Sequence, residues 1–327
     1  MKVRTFIVKC ILAAVPLMLL SGYTLMFPMC YMDEEYPAWR LKKGAASGRE
    51  YVSQDFDTVI VGDSGAMSAL IPELIGDSCI NMAAGGATSV EMYFFLSEYL
   101  EDHEAPKTAV IMFAPFHYWH IDNYETRTQY FRAVGLSDLC RLQSDAKACG
   151  ALSVRHDGWL TGELSARLGL PNRYLPAIYA SRFVLRREEN EKILEDLRAA
   201  HGWGSFGTQD GCWDESYETS YEDMTIDGDA KLITLYMQKL LRLCDDNGIR
   251  IVLLQPAVND ATFEKLNEHY YGSYRNYIKQ LSAVAGDMVY ETDLRVYDGR
   301  YFSDTSHLNR EGAEKFTNEV LSLINGR

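Results

Sequence analysis

Asp57-Thr-Val-Ile-Val-Gly-Asp-Ser-Gly65 is the stretch of sequence that decides the fold of this 327-residue chain. Its β-branched apolar run, Thr58 to Val61, predicts a short buried strand. The Gly-Asp-Ser-Gly that follows predicts a tight turn, because glycine and aspartate are typical turn residues. Residues 66–75 then return to apolar positions at helical spacing. The stretch therefore predicts a strand, a sharp turn and a helix.

The same alternation recurs along the rest of the chain. Strands are predicted at 79–82, 108–113, 249–254 and 288–290, and helices at 91–100, 231–244, 261–284 and 312–324. Strands that alternate with helices indicate an α/β fold with a parallel sheet and helices on both faces. Residues 117–228 break this rhythm. We expect them to form a large insertion over the carboxyl edge of the sheet, where open α/β folds bind ligands, within one domain of residues 55–327.

An apolar segment lies at the N-terminal end. No charged residue occurs between Lys9 and Asp33, and residues 10–32, at about 1.5 Å per residue, suffice to cross a bilayer core of about 30 Å. Residues 1–32 therefore predict a cytoplasmic N-terminus and a transmembrane anchor, followed by a linker or short helix at 33–54. Cations precede the segment and acidic residues follow it, so the positive-inside rule places the domain outside the cytoplasm. The alternative is a cleaved signal peptide.

Charge and cysteine content disfavour several functions. The chain has 32 Lys+Arg against 46 Asp+Glu, and this acidic balance argues against nucleic-acid binding. The cysteines beyond Cys10 are scattered without the close spacing of zinc ligands, so we expect neither a metal nor a cofactor. An extracytoplasmic location permits disulfides, and Cys140 with Cys149 is one candidate pair.

A serine follows the first predicted strand. In the turn Gly62-Asp63-Ser64, the hydroxyl of Ser64 would stand at the carboxyl edge of the sheet with its backbone N–H toward a developing oxyanion. This geometry suits a nucleophile. The alternative is a turn that only caps the next helix, since Asp and Ser are both favoured caps.

An aspartate and a histidine lie three residues apart before the last predicted helix. At this spacing on a turn, the carboxylate of Asp304 can orient the imidazole of His307, which can then deprotonate a serine. The alternative is that Asp304 caps the turn and His307 is an ordinary loop residue. The pairing of these residues with a serine after the first strand favours catalysis.

These two blocks resemble the SGNH/GDSL hydrolases, in which a Gly-Asp-Ser serine works with an Asp-x-x-His pair. The resemblance implies a three-layer, flavodoxin-like parallel sheet. It also implies Ser64 as the nucleophile, His307 as the general base, Asp304 as its orienter and Asp63 as support for the turn.

The resemblance further implies an oxyanion hole. Its donors would be the N–H groups of Ser64 and of Gly85 or Gly86, which follow the second predicted strand. The family's third block, Gly-x-Asn-Asp, is absent from this chain, and this absence puts the third donor in doubt. His117 is either a substitute donor or a structural residue, and Asn123 lies a little further on.

The full pattern is most similar to divergent, membrane-anchored SGNH-like proteins of bacterial envelopes, a group that includes the D-alanine-transfer protein of teichoic-acid modification and alginate O-acetylation proteins. It implies serine-dependent O-acyl transfer or ester hydrolysis on a cell-surface polymer or a small acyl ester, with a multipass membrane O-acyltransferase as a partner. The alternative is a non-catalytic scaffold or glycan-binding protein. In that case the aromatic residues of 113–119, with Trp203 and Trp213, would stack on sugar rings.

Overall fold

A parallel sheet lies at the centre of the protein. The computed structural model describes residues 3–52, 54–121, 123–207, 218 and 227–326. The strands are Thr58–Gly62 (β1), Cys79–Asn81 (β2), Thr108–Met112 (β3), Arg250–Leu254 (β4), Ala257–Asn259 (β5), Met288–Tyr290 (β6) and Arg295–Tyr297 (β7). The main sheet has the order β2-β1-β3-β4-β6 with all neighbours parallel, and β5 pairs with β7 in a small second sheet. The predicted α/β fold with a mostly parallel sheet is confirmed.

Helices cover both faces of the main sheet. They are Val3–Met26 (α1), Tyr36–Ala46 (α2), Ser64–Ala69 (α3), Pro72–Ile75 (α4), Ser89–Asp102 (α5), Leu136–Cys149 (α6), Trp159–Leu168 (α7), Pro171–Ala180 (α8), Arg187–Ala199 (α9), Gly228–Asp246 (α10), Asp260–Lys265 (α11), Glu268–Leu281 (α12) and Arg310–Ile324 (α13). Val59 and Val61 of β1 pack with α5, α10 and α12, whereas Ile60 packs with α3, α9 and α13. The sheet therefore separates two cores, because successive strand side chains point to opposite faces.

One predicted helix is divided in the structure. The prediction of a continuous helix over 261–284 is wrong, because α11 ends at Lys265 and α12 begins at Glu268. The side chain of Asn267 accepts hydrogen bonds from the N–H groups of His269 and Tyr270 and so caps α12. The apolar spacing runs through this cap and does not reveal it.

Helix α1 is long and apolar enough to span a membrane. Most of its side chains are exposed, and its burial against the domain begins only near its C-terminal end, where Thr24 is buried. The predicted anchor of residues 1–32 includes more than this helix. The helix ends at Met26, a short 3₁₀ turn follows at Pro28–Cys30, and Met29 to Met32 are buried in the domain.

Residues 33–54 contain a helix that packs into the domain core. Helix α2 lies against α5 and α9. The indole ring of Trp39 meets Phe95 edge to face at 6.0 Å, and its Nε1 donates a hydrogen bond to the carbonyl oxygen of Gly85 at 3.2 Å. This part of the chain is therefore a short helix within the folded body.

The region predicted as an insertion contributes α6 to α9, between β3 and the crossover helix α10. Cys140 and Cys149 both lie on α6 as free thiols. Nine helical residues separate them by about 13 Å, whereas a disulfide requires Cα atoms within about 7 Å. The proposed pairing is therefore wrong.

Trp39→Ala should lower the free energy of unfolding by about 3–5 kcal/mol, the usual cost of removing a large buried aromatic side chain. Urea denaturation of the full-length protein in detergent measures this change. The matched control Val52→Ala removes an exposed side chain of the same segment and should change the free energy by less than about 0.5 kcal/mol. Equal effects of the two substitutions would mean that residues 33–54 are only a linker.

Candidate active site

The carboxylate of Asp63 joins the ends of two central strands. Its Oδ1 accepts hydrogen bonds from the N–H groups of Gly65 at 2.8 Å and Ala66 at 3.4 Å, and so caps α3. Its Oδ2 accepts hydrogen bonds from the N–H of Ala114 at 2.6 Å and from Nδ1 of His117 at 2.7 Å, both just beyond β3. Asp63 is fully buried and holds the turn after β1 against the end of β3.

Ser64 is the first residue of α3 and stands at the carboxyl edge of the main sheet. Its backbone N–H, and those of Gly85 and Gly86, have no acceptor among the described residues. Backbone N–H groups left unpaired at the edge of a cleft are suited to an oxyanion, because they need no reorganisation to bind it.

One cleft brings the predicted residues together. It has a volume of about 410 Å³, and its lining includes Ser64, Gly85, Gly86, His117 and His307. Within the described part of the chain, the hydroxyl of Ser64 makes no hydrogen bond with His307. Such bonds are often long in ligand-free structures and tighten when substrate binds.

Two side chains hold the imidazole of His307. Its Nδ1 donates a hydrogen bond to Oδ2 of Asp304 at 2.8 Å, and the ring of Phe206 stacks on it with centroids 4.5 Å apart. The backbone N–H of His307 also donates to Oδ1 of Asp304 at 2.8 Å. Because Nδ1 carries the donated hydrogen, Nε2 of the neutral ring is free of a proton and can accept one.

The charge of Asp304 is stabilised within the site. Burial raises the pKa of its carboxyl, but the hydrogen bond and charge of His307, with the N–H groups of Ser306 and His307, outweigh burial. The pKa therefore lies below its usual value. An ionised carboxylate at this position keeps the imidazole in one tautomer.

Asn123 reaches the cleft near the place of the absent third block. It lines the cleft together with His117, whose Nδ1 is already bonded to Asp63. The backbone of Gly86 has a φ of +66°, and a Cβ atom built there would lie 2.6 Å from Nδ2 of Asn123. The amide of Asn123 therefore lies directly against one of the two glycines predicted to bind the oxyanion.

An ion pair lines the same cleft. Nη2 of Arg127 donates to Oε1 of Glu35 at 2.6 Å. Burial raises the pKa of the Glu35 carboxyl, Arg127 opposes this rise and Asp33 adds to it. Sequence reasoning missed this pair because its members come from the predicted linker and the predicted insertion, and an ion pair between such distant residues leaves no local pattern.

A second, more apolar cleft of about 460 Å³ adjoins the first. The two clefts share Glu35, Gly85 and Phe206. The apolar wall of the second cleft consists of Ala38, Met67, Ile193, Leu197 and Trp203. A substrate bound at Ser64 would therefore have an apolar recess beside it.

The aromatic residues considered for sugar stacking are mostly inaccessible. Phe113, Tyr118 and Trp119 are buried in the core. Trp203 is half-buried, and its Nε1 donates to the carbonyl oxygen of Ser68 at 2.8 Å. Trp213 lies outside the described residues. Phe116 is half-buried and lines the same cleft as Ser64. Of the aromatic residues in 113–119, only Phe116 can therefore offer a ring face to a glycan.

No protein-family model matches the chain, and no curated protein matches it significantly.

Acid should remove a contribution of Asp304 to stability. Because its folded-state pKa is lowered, the contribution is present above the unfolded-state pKa of about 3.9 and is lost as the pH falls through the folded-state pKa. The difference in urea midpoint between the wild type and Asp304→Asn should therefore shrink between about pH 4 and pH 2.

In a His307→Gln background, the difference in urea midpoint caused by Asp304→Asn should depend less on pH, because the partner that lowers the pKa of Asp304 is gone. A difference that stays constant down to about pH 2 in the wild-type background would contradict the lowered pKa of Asp304.

Proposed function

We propose that this protein is a membrane-anchored serine esterase or O-acyltransferase of the SGNH type, with Ser64, His307 and Asp304 as its catalytic triad. One observation carries the proposal. Ser64 and the hydrogen-bonded pair Asp304–His307 come from opposite ends of the domain sequence, yet Ser64 and His307 line one cleft at the carboxyl edge of the sheet. The strand order β2-β1-β3-β4-β6, which is 2-1-3-4-5 when counted within the main sheet, supports the flavodoxin-like part of the proposal.

The chemistry follows from these positions. Oγ of Ser64 attacks the carbonyl carbon of an acyl donor while Nε2 of His307 takes the hydroxyl proton. The N–H groups of Ser64 and of Gly85 or Gly86 bind the oxyanion, with Asn123 as the third donor. His117 can fill that place only as the imidazolium, since its Nδ1 hydrogen is donated to Asp63 and Nε2 of the neutral ring carries none. When the carbonyl re-forms, the leaving group departs with the proton from His307 and the acyl group stays on Ser64. An acceptor hydroxyl or water, deprotonated by His307, then releases it.

The proposed location follows from the N-terminal segment. Lys2, Arg4 and Lys9 lie at the start of the chain, and Asp33 follows α1. The positive-inside rule then leaves the N-terminus in the cytoplasm and the catalytic domain outside, at the cell envelope. The substrates we propose are a cell-surface polysaccharide or teichoic-acid-like polymer as acceptor and a small acyl ester as donor. A multipass membrane O-acyltransferase is the partner that would supply the acyl group.

A non-catalytic scaffold for such an O-acyltransferase is the second candidate. The observation in its favour is the absence, within the described residues, of a hydrogen bond between Ser64 and His307. Covalent labelling of Ser64 separates the two candidates, since a scaffold has no activated nucleophile.

Ser64→Ala and His307→Ala should each reduce hydrolysis of p-nitrophenyl acetate by at least about 10³-fold and abolish labelling by a fluorophosphonate probe. Full-length protein in membranes is the material to assay. Ser205→Ala removes an exposed serine of the neighbouring cleft and should keep both signals. Wild-type protein that neither labels nor turns over would favour the scaffold.

Asn123→Ala should reduce kcat for the same ester by about 10²–10³-fold with little change in KM, because an oxyanion donor acts mainly in the transition state. Asn318→Ala, at an exposed position on α13, is the matched control and should leave kcat unchanged. If kcat survives Asn123→Ala but falls in His117→Ala with an unchanged urea midpoint, His117 is the third donor instead.

A further inference from the structure

Exposed apolar side chains are concentrated on one part of the insertion. Among the described residues beyond Phe27, 15 large apolar side chains are exposed, and nine of them lie between 160 and 185. We call these nine the α7–α8 surface: Leu160, Leu164, Leu168, Leu170, Leu175, Tyr179, Phe183, Val184 and Leu185. A cluster of this kind marks an interaction site, because single exposed apolar residues are usually scattered.

The charge around this surface differs from that of the rest of the protein. Residues 158–187 contain five arginines and one acidic residue, Glu163, whereas the whole chain has a formal net charge of −14. Glu163 is buried and pairs with Arg167. Arg182 is exposed beside Phe183 and Val184. Arg186 and Arg187 pair with Glu34 and Glu191. The exposed Arg182, which borders apolar and aromatic side chains, matches a surface of anionic lipid headgroups over hydrocarbon.

The α7–α8 surface is attached to the end of the membrane-spanning helix. Oγ1 of Thr24 donates a hydrogen bond to the carbonyl oxygen of Gly169 at 2.9 Å, in the turn between α7 and α8. The hydroxyl of Tyr23 donates to the carbonyl oxygen of Phe183, and their rings meet edge to face at 5.4 Å. The position of α1 in a bilayer therefore sets the position of this surface.

The length of α1 places the contact just inside the membrane. Counted from Cys10, the first residue after the last cytoplasmic charge, Thr24 is 14 residues or about 21 Å along the helix axis, which is less than the hydrocarbon thickness of about 30 Å. Helices α7 and α8 have 10 residues each, or about 15 Å, and are too short to span the bilayer. Their length and level fit segments that lie in the interface.

We propose that the α7–α8 surface inserts into the bilayer leaflet on the domain's side of the membrane and binds anionic phospholipid there. The domain would then have two membrane attachments, α1 and the α7–α8 surface, which together fix its orientation to the bilayer. The proposal depends on α1 crossing the membrane and is independent of the chemistry at Ser64.

Photocrosslinking of the full-length protein tests this proposal. Tyr179, 82% exposed, is replaced by p-benzoylphenylalanine, and the protein is reconstituted in nanodiscs of phosphatidylcholine and phosphatidylglycerol. The matched control is the same replacement at Tyr290, an exposed tyrosine of β6. We expect at least about tenfold more lipid adduct at 179 than at 290, detected by mass spectrometry, and several-fold less adduct at 179 when phosphatidylglycerol is omitted. Equal yields at the two positions would overturn the proposal.

A second variant tests whether the lipid adduct at 179 depends on insertion of the α7–α8 surface or only on the local reactivity of the crosslinker. Leu164→Glu with Leu175→Glu changes two exposed side chains and should reduce the lipid adduct at 179 by about tenfold while the thermal midpoint is unchanged. In native membranes we again expect lipid adducts. A dominant adduct with another protein at 179 would overturn the proposal and identify a protein as the occupant of this surface.

Discussion

The buried carboxylate of Asp63 accepts four hydrogen bonds, from the N–H groups of Gly65, Ala66 and Ala114 and from the imidazole of His117. A charge that is fully removed from water is tolerated only when such donors surround it. The four donors belong to the start of α3 and to the chain just beyond β3, so the requirement to satisfy one carboxylate ties these two segments together. The position of Ser64, the next residue, depends directly on that constraint.

A second set of contacts reaches the candidate site from the N-terminal side. Buried Lys42 of α2 donates hydrogen bonds to the carbonyl oxygens of Asn81 and Gly202, and burial holds the pKa of its ammonium group well below the usual range. Trp39 on the same helix bonds the carbonyl oxygen of Gly85. Helix α2 therefore supports the loop after β2, which contains the candidate oxyanion glycines. It also follows α1 closely along the chain, so the scaffold of the cleft is built next to the apolar N-terminal helix.

The two halves of the candidate triad differ in how they are held. Asp304 and His307 are three residues apart, and local hydrogen bonds are sufficient to orient the carboxylate toward the ring. Ser64 lines the same cleft as His307 only because β1 is central in the sheet and the loop before α13 returns to the same edge. The stacking of Phe206 on His307 is a third contribution, made by a residue from the insertion.

The sequence alone determined the elements that repeat a local pattern. Apolar runs and helical spacing identified the strands of the main sheet and the apolar N-terminal helix, since burial on both sheet faces imposes such a pattern on strands and a continuous apolar run of this length predicts a long helix. Local spacing also singled out Ser64, Asp304 and His307 as candidate catalytic residues, and this assignment stays a prediction. Tertiary structure alone decided that α2 belongs to the core, that Asn123 lies against Gly86, and that Arg127 pairs with Glu35. These contacts join residues far apart in the chain. Their energies depend on where the backbone places these residues, and that position cannot be read from a periodicity or a turn motif in the sequence.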